Sequence, residues 1–365
     1  MTDLKYINVV GDFMSQHPEQ IVIDDSLKTL LYDAEYNICN FEAPVASSGK
    51  PIPKSGPTLC QSEESPKFLK QNGFNVFLLA NNHLLDYGEE GADMTEKAFG
   101  ESMTLGYGSG KDAFRVKSIE VNGKKIGFLS LTQREFGTID YDSEEKGTAW
   151  IHSIYLSSII KKTKTENDYL FIFPHAGIEH IDAPLPQWRK LYKSFIEMGA
   201  DAVIASHPHV PQGWEYYKGH PIFYSLGNFY FEREGKNPYW NKSLCVRIEV
   251  SKELKFETID IQFVNSRISI YDGRNHDEYL KQLLQNDIQY KEYIQKEINK
   301  LFNTYRYQSL RGNKGIAFMF PLKNCIKLVG SLLLGKNSRI DYLNNFQCES
   351  HRWAIENYLN DSIKR

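Results

Sequence analysis

Seven side chains with the chemistry of divalent-metal ligands stand just after apolar runs in the first 230 residues: Asp12, Glu42, Asn82, His83, His175, His207 and His209. Carboxylate, amide oxygen and imidazole together suit borderline ions such as Mn²⁺, Zn²⁺ or Fe²⁺, with Mg²⁺ a further option. Two such ions about 3.5–4 Å apart, bridged by a carboxylate, can bind both an attacking oxygen and a scissile one. Taken singly, the residues say little. Asp12 after Gly11 reads equally well as a helix cap, and Glu42 before Ala43-Pro44 is a lone carboxylate. His207-Pro208-His209 is more specific, because residues i and i+2 of an extended chain share one face. Seven such residues, each placed at the end of an apolar run, have no shared bland explanation.

The elements that must position them follow from the pattern of apolar runs. Val76–Ala80 is a buried-strand pattern that ends in Asn81-Asn82-His83 and passes through Asp86 to Gly88. Open α/β sheets place their sites at such carboxyl ends. Tyr6–Val10, Tyr36–Phe41, Asp168–Phe173 and Ala202–Ala205 read as further strands, delivering Asp12, Glu42, His175 and the His207/His209 pair. Helices are expected over 26–36, 65–73, 88–102, 150–165 and 187–198. Asn122-Gly123, between 115–121 and 125–131, signals a hairpin with a type I′ turn. A second hairpin is expected over 214–224, leading into Ser225-Leu226-Gly227-Asn228. Gly106–Gly110 reads as a turn, since it lacks the Lys-Ser/Thr of a phosphate loop. Ser47–Ser65 reads as a long loop over the site, whose Lys50 and Lys54 either attract an anionic substrate or are simply solvated.

At 365 residues the chain has room for a large α/β unit and an appendage. The division falls at 1–265, the candidate catalytic domain, and 266–365, a helical basic extension. Residues 266–365 carry a net charge of +6, leaving −9 on the body. An acidic body argues against a nucleic-acid partner. From Leu301 to Ile340 there are seven Lys and Arg and no Asp or Glu. Within it, 318–334 is amphipathic, so 301–340 is a candidate contact for an anionic membrane surface or an acidic protein. Docking on the catalytic domain explains that helix equally well. Five scattered cysteines with no CxxC pair fit a reducing compartment. The start of the chain lacks a signal-peptide pattern, and no run of 18 apolar residues occurs. A cytoplasmic location, peripheral to the inner membrane face at most, is expected.

Gly11-Asp-Phe-Met, Asn40-Phe-Glu-Ala-Pro, Ala80-Asn-Asn-His-Leu-Leu-Asp-Tyr-Gly, His175-Ala-Gly-Ile-Glu, His207-Pro-His-Val-Pro-Gln and Tyr224-Ser-Leu-Gly-Asn-Phe occur in this order. The set resembles the motifs of the CapA family of bacterial capsule and poly-γ-glutamate synthesis proteins, within the calcineurin-like metallophosphatase superfamily. The resemblance covers roughly 6–235. It implies a four-layer α/β/β/α sandwich with one or two divalent ions at the strand ends. It makes Asp12, Asn82, His175, His207 and His209 ligands and Glu42 the bridge. His83 becomes the catalytic residue and Asp86 its orienting partner, with Glu179, Ser225 and Asn228 around the ligands or the substrate. Two positions depart from the pattern: Ala176 stands where the family usually has Trp, and Met14 where the superfamily's Asp-x-His has its His.

These features lead to the expectation of a metal-dependent hydrolase of phosphoester type, acting on an anionic cell-envelope polymer or precursor. Two rivals come from other readings of the same residues. One is a metal-stabilised, non-catalytic subunit of a polymer synthase or exporter. The other is a γ-glutamyl amide hydrolase.

Overall fold

The computed structural model describes residues 4–45, 50–233, 235, 237–272, 274–305, 340, 343, 344 and 346–364. Two sheets face each other. The first runs in the order Val22–Ile23, Arg267–Ile270, Leu254–Val264, Lys242–Val250, Lys5–Met14, Tyr36–Phe41, Val76–Leu78, Met103–Leu105. Asn228–Phe231 adds in parallel to the end of Lys5–Met14. The second sheet runs Trp214–Tyr217, His220–Phe223, Ala202–Ile204, Tyr169–His175, Lys124–Thr132, Lys117–Val121.

Period-two alternation along the central strands separates three cores. Ile7, Val9, Ile38, Val76 and Leu78 of the first sheet pack between the sheets against Ile126, Phe128, Phe171, Phe173 and Ile204 of the second. Each of these buried side chains contributes about 1.5–3 kcal/mol. The alternate residues Val10, Phe13, Cys39, Phe41 and Phe77 face the helices Asp25–Tyr32, Ser65–Gln71 and Gly88–Phe99. Leu129, Leu170, Ile172 and Val203 face Leu156–Glu166, Pro186–Met198, Arg274–Gln285 and Asp287–Tyr305. The result is the expected α/β/β/α order.

Both hairpins form as read. Asn122 and Gly123 have φ of 51° and 70°, and Lys218 and Gly219 have φ of 51° and 85°, the paired positive values of a type I′ turn. The 106–110 stretch differs from a plain turn. Tyr107–Ser109 pairs with Lys146–Ala149 in a small third sheet, and Gly110–Ala113 closes into a helical turn.

The chain beyond 265 is woven into the body. Arg267–Ile270 pairs with Leu254–Val264 and with Val22–Ile23, and Leu283, Leu284, Tyr290, Ile294 and Ile298 complete the second outer core. A last helix, Glu349–Lys364, follows. The amphipathic stretch 318–334, and with it nearly all of the basic 301–340 segment, lies outside the described residues. Among the described residues no helix is long and apolar enough to cross a membrane.

Candidate metal centre

The alternation that builds the inter-sheet core also builds the site. His175 follows Phe171 and Phe173, Ser206 follows Ala202 and Ile204, and Asn40 follows Ile38, so all three side chains continue the inner face where the apolar residues stop. Asp12 arrives by another route. The strand Lys5–Met14 changes register between Val9 and Asp12 against Tyr36–Phe41, and between Asp12 and Phe13 against Asn228–Phe231. Such irregularities re-aim a side chain. Gly11 permits this, because a Cβ there would lie 1.8 Å from the Gly227 carbonyl oxygen.

Asp12, Glu42 and His209 form one group whose ligand atoms all lie within 4.8 Å of one another. His209 Nδ1 is 3.5 Å from Asp12 Oδ2, and its Nε2 is 3.6 Å from Glu42 Oε1. Asn228 donates its amide hydrogens to the carbonyls of His209 and Trp240, so its Oδ1, 2.9 Å from His209 Nδ1, accepts. That fixes the proton on Nδ1 and turns the Nε2 lone pair toward Glu42, the tautomer a metal ligand needs. A second group adjoins it. His175 Nε2 lies 2.9 Å from Asn82 Oδ1, 3.1 Å from His207 Nδ1 and 3.9 Å from Glu42 Oε1. Glu42 therefore stands between the two groups.

The His-Pro-His segment reaches this geometry differently from the extended chain expected. His207 has φ of 100° and His209 φ of 60°, so the backbone kinks at both histidines. The left-handed region costs about 1–3 kcal/mol for a residue with a Cβ. The His207 N–H donates to Asp12 Oδ2 at 3.2 Å, which ties the kink to the site. Gly177 lets the segment close in: its φ is +148°, and a Cβ there would meet Pro208 Cγ at 2.6 Å.

Burial dominates the electrostatics. Asp12 and Glu42 are fully buried. Loss of hydration pushes Asp12 up to about 7, against the pull of the Asn40 and His207 hydrogen bonds. It also raises Glu42 well above the carboxylate range, with Asp12 adding to the effect. The imidazoles move the other way. Burial holds His175 and His207 well below their usual range and takes His209 down to about 3. Neutral imidazoles facing carboxylates short of positive partners describe a site organised for a cation.

His83 and Asp86 lie beside these groups. His83 Nδ1 is 2.7 Å from Asp86 Oδ2, which also accepts the Leu59 N–H at 2.7 Å. Lys54 bonds to Asp86 Oδ1, and its Nζ is 3.1 Å from His83 Nδ1. The side chain of Lys54 is only 3% exposed, so it is a buried partner of the site and not a solvated loop lysine. Glu179 is half-exposed and lies 3.7 Å from His180. Ser225 accepts the Gly227 N–H, which holds the turn that carries Asn228.

Sequence reading passed over several residues. Asn40 donates to Asp12 Oδ1 at 2.8 Å and Ser206 Oγ lies 3.1 Å from His175 Nδ1. Gln61 donates to the carbonyls of Phe13, Glu42 and Ala43 and accepts the Ser15 N–H. Asn40 and Ser206 were readable from strand parity; Gln61, in a loop, left no signal.

The donor set fits a divalent ion on one structural test. Neither oxygen of Glu42 has a hydrogen-bond partner among the described residues, although the residue is fully buried. A carboxylate so placed is costly unless a cation completes it.

The chain is a four-layer α/β/β/α sandwich that carries a buried Asp/Glu/His group at one edge of its sheets. The family model described as bacterial capsule synthesis protein PGA_cap matches residues 7–233, and the chain belongs to that family. It is 33% identical over 245 residues to the capsule biosynthesis protein CapA of Bacillus anthracis, covering 62% of this chain and 60% of that one. It is 29% identical over 245 residues to the PGA biosynthesis protein CapA of Bacillus subtilis, covering 63% and 64%. The matches thus span less than two thirds of those relatives. Among solved structures, a 5′-nucleotidase precursor of Thermus thermophilus overlaps 81% of this chain and 60% of its own, at 11% identity and a TM-score of 0.39. The fold assignment rests on the layers of the chain itself.

Proposed function

We propose that this protein is a divalent-metal-dependent hydrolase of phosphoester type that works in the production of a capsule or poly-γ-glutamate polymer. The observation that carries the reading is Glu42, a buried carboxylate whose two oxygens have no hydrogen-bond partner among the described residues, set between His209 and His175. In this reading Asp12, Glu42 and His209 would hold one ion, and Asn82, His175 and His207 beside Glu42 would hold a second. Divalent ions bound there would supply Lewis acidity for a scissile oxygen and would acidify water.

The remaining steps belong to the chain. Asn40 and the His207 N–H hold Asp12, and Asn228 holds the His209 tautomer. Asp86 engages Nδ1 of His83, which leaves Nε2 as the atom that exchanges a proton with the leaving oxygen. Lys54 pairs with Asp86 and adds positive charge next to the site, in keeping with an anionic polymer or precursor as substrate.

The test is turnover by metal-reconstituted protein on a phosphodiester, a phosphomonoester and a γ-glutamyl amide. Phosphoester hydrolysis that falls in both His83→Ala and His207→Ala supports the proposal. Cleavage confined to the amide replaces it with the amidase, and full activity in both variants overturns it.

A further inference from the structure

Glu42 has no side-chain donor to aim it. Neither of its oxygens meets a hydrogen-bond partner among the described residues, so its direction is set by the backbone that carries it. That backbone takes an unfavourable path. Ala43 has φ of 91°, a region that a residue with a Cβ rarely enters. Pro44 follows, and a proline favours an extended, negative φ at the residue before it. Such a conformation persists only where the surroundings over-determine it. Here the turn is pinned at each step. The Phe41 carbonyl accepts from Asn81 Nδ2 at 2.8 Å, the Glu42 N–H donates to the Phe13 carbonyl at 3.0 Å, and the Val45 N–H donates to Thr95 Oγ1 at 2.9 Å. The three carbonyls between them fall to one residue. Gln61 Nε2 donates to those of Glu42 at 3.1 Å and Ala43 at 3.2 Å, and the Gln61 N–H donates to that of Pro44 at 2.8 Å.

We infer that Gln61 is the positioning residue that aims the Glu42 carboxylate into the metal centre, by holding Ala43 at its positive φ. The inference rests on the metal-centre reading above. The orientation of the Gln61 amide is fixed by its partners. Its Oε1 accepts the Ser15 N–H at 3.2 Å, so Nε2 is the donor end, and a third acceptor for it is the Phe13 carbonyl at 3.3 Å. Phe13 directly follows Asp12, so one amide ties the strand that carries Asp12 to the turn that carries Glu42. Gln61 is only 3% exposed, which leaves the carbonyls unpaired and buried if its donors are removed. Ala43 is then released to return to negative φ. That rotation re-orients the peptide between residues 42 and 43 and swings the Glu42 side chain with it. Partners one step behind a ligand change metal affinity about 10–100-fold when lost. The loop that brings Lys54 to Asp86 thereby also sets Glu42.

The experiment is Mn²⁺ titration of the full chain, followed by the electron paramagnetic resonance of free Mn²⁺, with far-UV circular dichroism and a thermal melt in EDTA on each protein. Gln61→Met keeps the length but removes the side-chain donors, and is expected to raise the Mn²⁺ dissociation constant about tenfold or more. Adding Ala43→Gly to that variant is expected to recover part of the loss, because glycine takes φ of 91° without steric cost. Gln61 acting by packing alone gives no such recovery. Ile126→Val, deep between the sheets, lowers stability without touching the turn and is expected to match wild type in affinity. If Gln61→Met shows no cooperative melt, the shorter Gln61→Asn, alone and with Ala43→Gly, is read by the same criteria. Wild-type affinity in the Gln61 variant, or a loss that Ala43→Gly does not reduce, overturns the inference while leaving the metal reading intact. A wild-type chain that binds no Mn²⁺ overturns both.

Discussion

Asp12→Asn offers a quantitative check on the site without any substrate. Burial holds the Asp12 carboxyl at about 7 in the folded chain, against 3.8 for the free group. Between those values the folded protein retains a proton that the unfolded chain has released. The contribution of this group to the stability of metal-free protein therefore falls as pH rises from about 4 to about 7 and stays at the lower level above it. At about 1.36 kcal/mol per unit, the loss from this one group is about 2 kcal/mol at pH 5 and about 4 kcal/mol at pH 8. Asparagine removes the ionisation. It also gives up one of the bonds accepted from Asn40 and His207, a pH-independent cost of about 1–3 kcal/mol. His209, held down to about 3, makes stability fall at acid pH instead, but it is present in both proteins and cancels in the difference. Urea unfolding in EDTA is thus expected to show Asp12→Asn gaining about 2–3 kcal/mol on wild type between pH 5 and pH 8. In Mn²⁺ at a hundred times its dissociation constant, wild type alone recovers about 2.7 kcal/mol. Stability differences that stay flat with pH in EDTA would refute the claim that Asp12 is a buried carboxyl awaiting a cation.

Further predictions concern neighbouring residues. His83→Ala is expected to lower turnover about 10²–10⁴-fold with metal content unchanged; loss of metal with the activity would make His83 a ligand instead, by elemental analysis. Lys54→Met leaves Asp86 without its cation in a buried site, and urea unfolding is expected to show a loss of about 3–5 kcal/mol. A loss below about 1 kcal/mol would mark the pair as solvent-screened. Gly177→Ala forces a Cβ onto Pro208 at a backbone angle of +148°. It should cost about 1–3 kcal/mol or more and weaken Mn²⁺ binding through the His-Pro-His kink.

The parts of this molecule that period-two alternation controls were legible in its sequence. Apolar runs ending in Asn82, His175 and Ser206-His207 mark strands whose inner face turns polar at one edge, and the structure brings those ends together. Asn122-Gly123 announced its turn because two successive positive φ values leave few residue choices. What stayed hidden depends on contacts between distant segments. Lys54 looked like a loop lysine because nothing local shows that Asp86 will draw it in. Gln61, which stitches the carbonyls around Glu42, and Ser350, more than 200 residues from Gln133, are ordinary polar residues until the fold places them. The extended reading of His207-Pro208-His209 failed because the Asp12 carboxylate and the close approach at Gly177 favour a kinked backbone.

The central claim is that Glu42 anchors a hydrolytic metal centre. Its most direct test is elemental analysis of Mn²⁺-reconstituted wild type and Glu42→Gln, each paired with a phosphoester assay. The account predicts one to two ions per wild-type chain with metal-dependent turnover, and fewer ions with no turnover in Glu42→Gln. A wild-type chain that holds no ion, or a Glu42→Gln variant that keeps its ions and its rate, would contradict it.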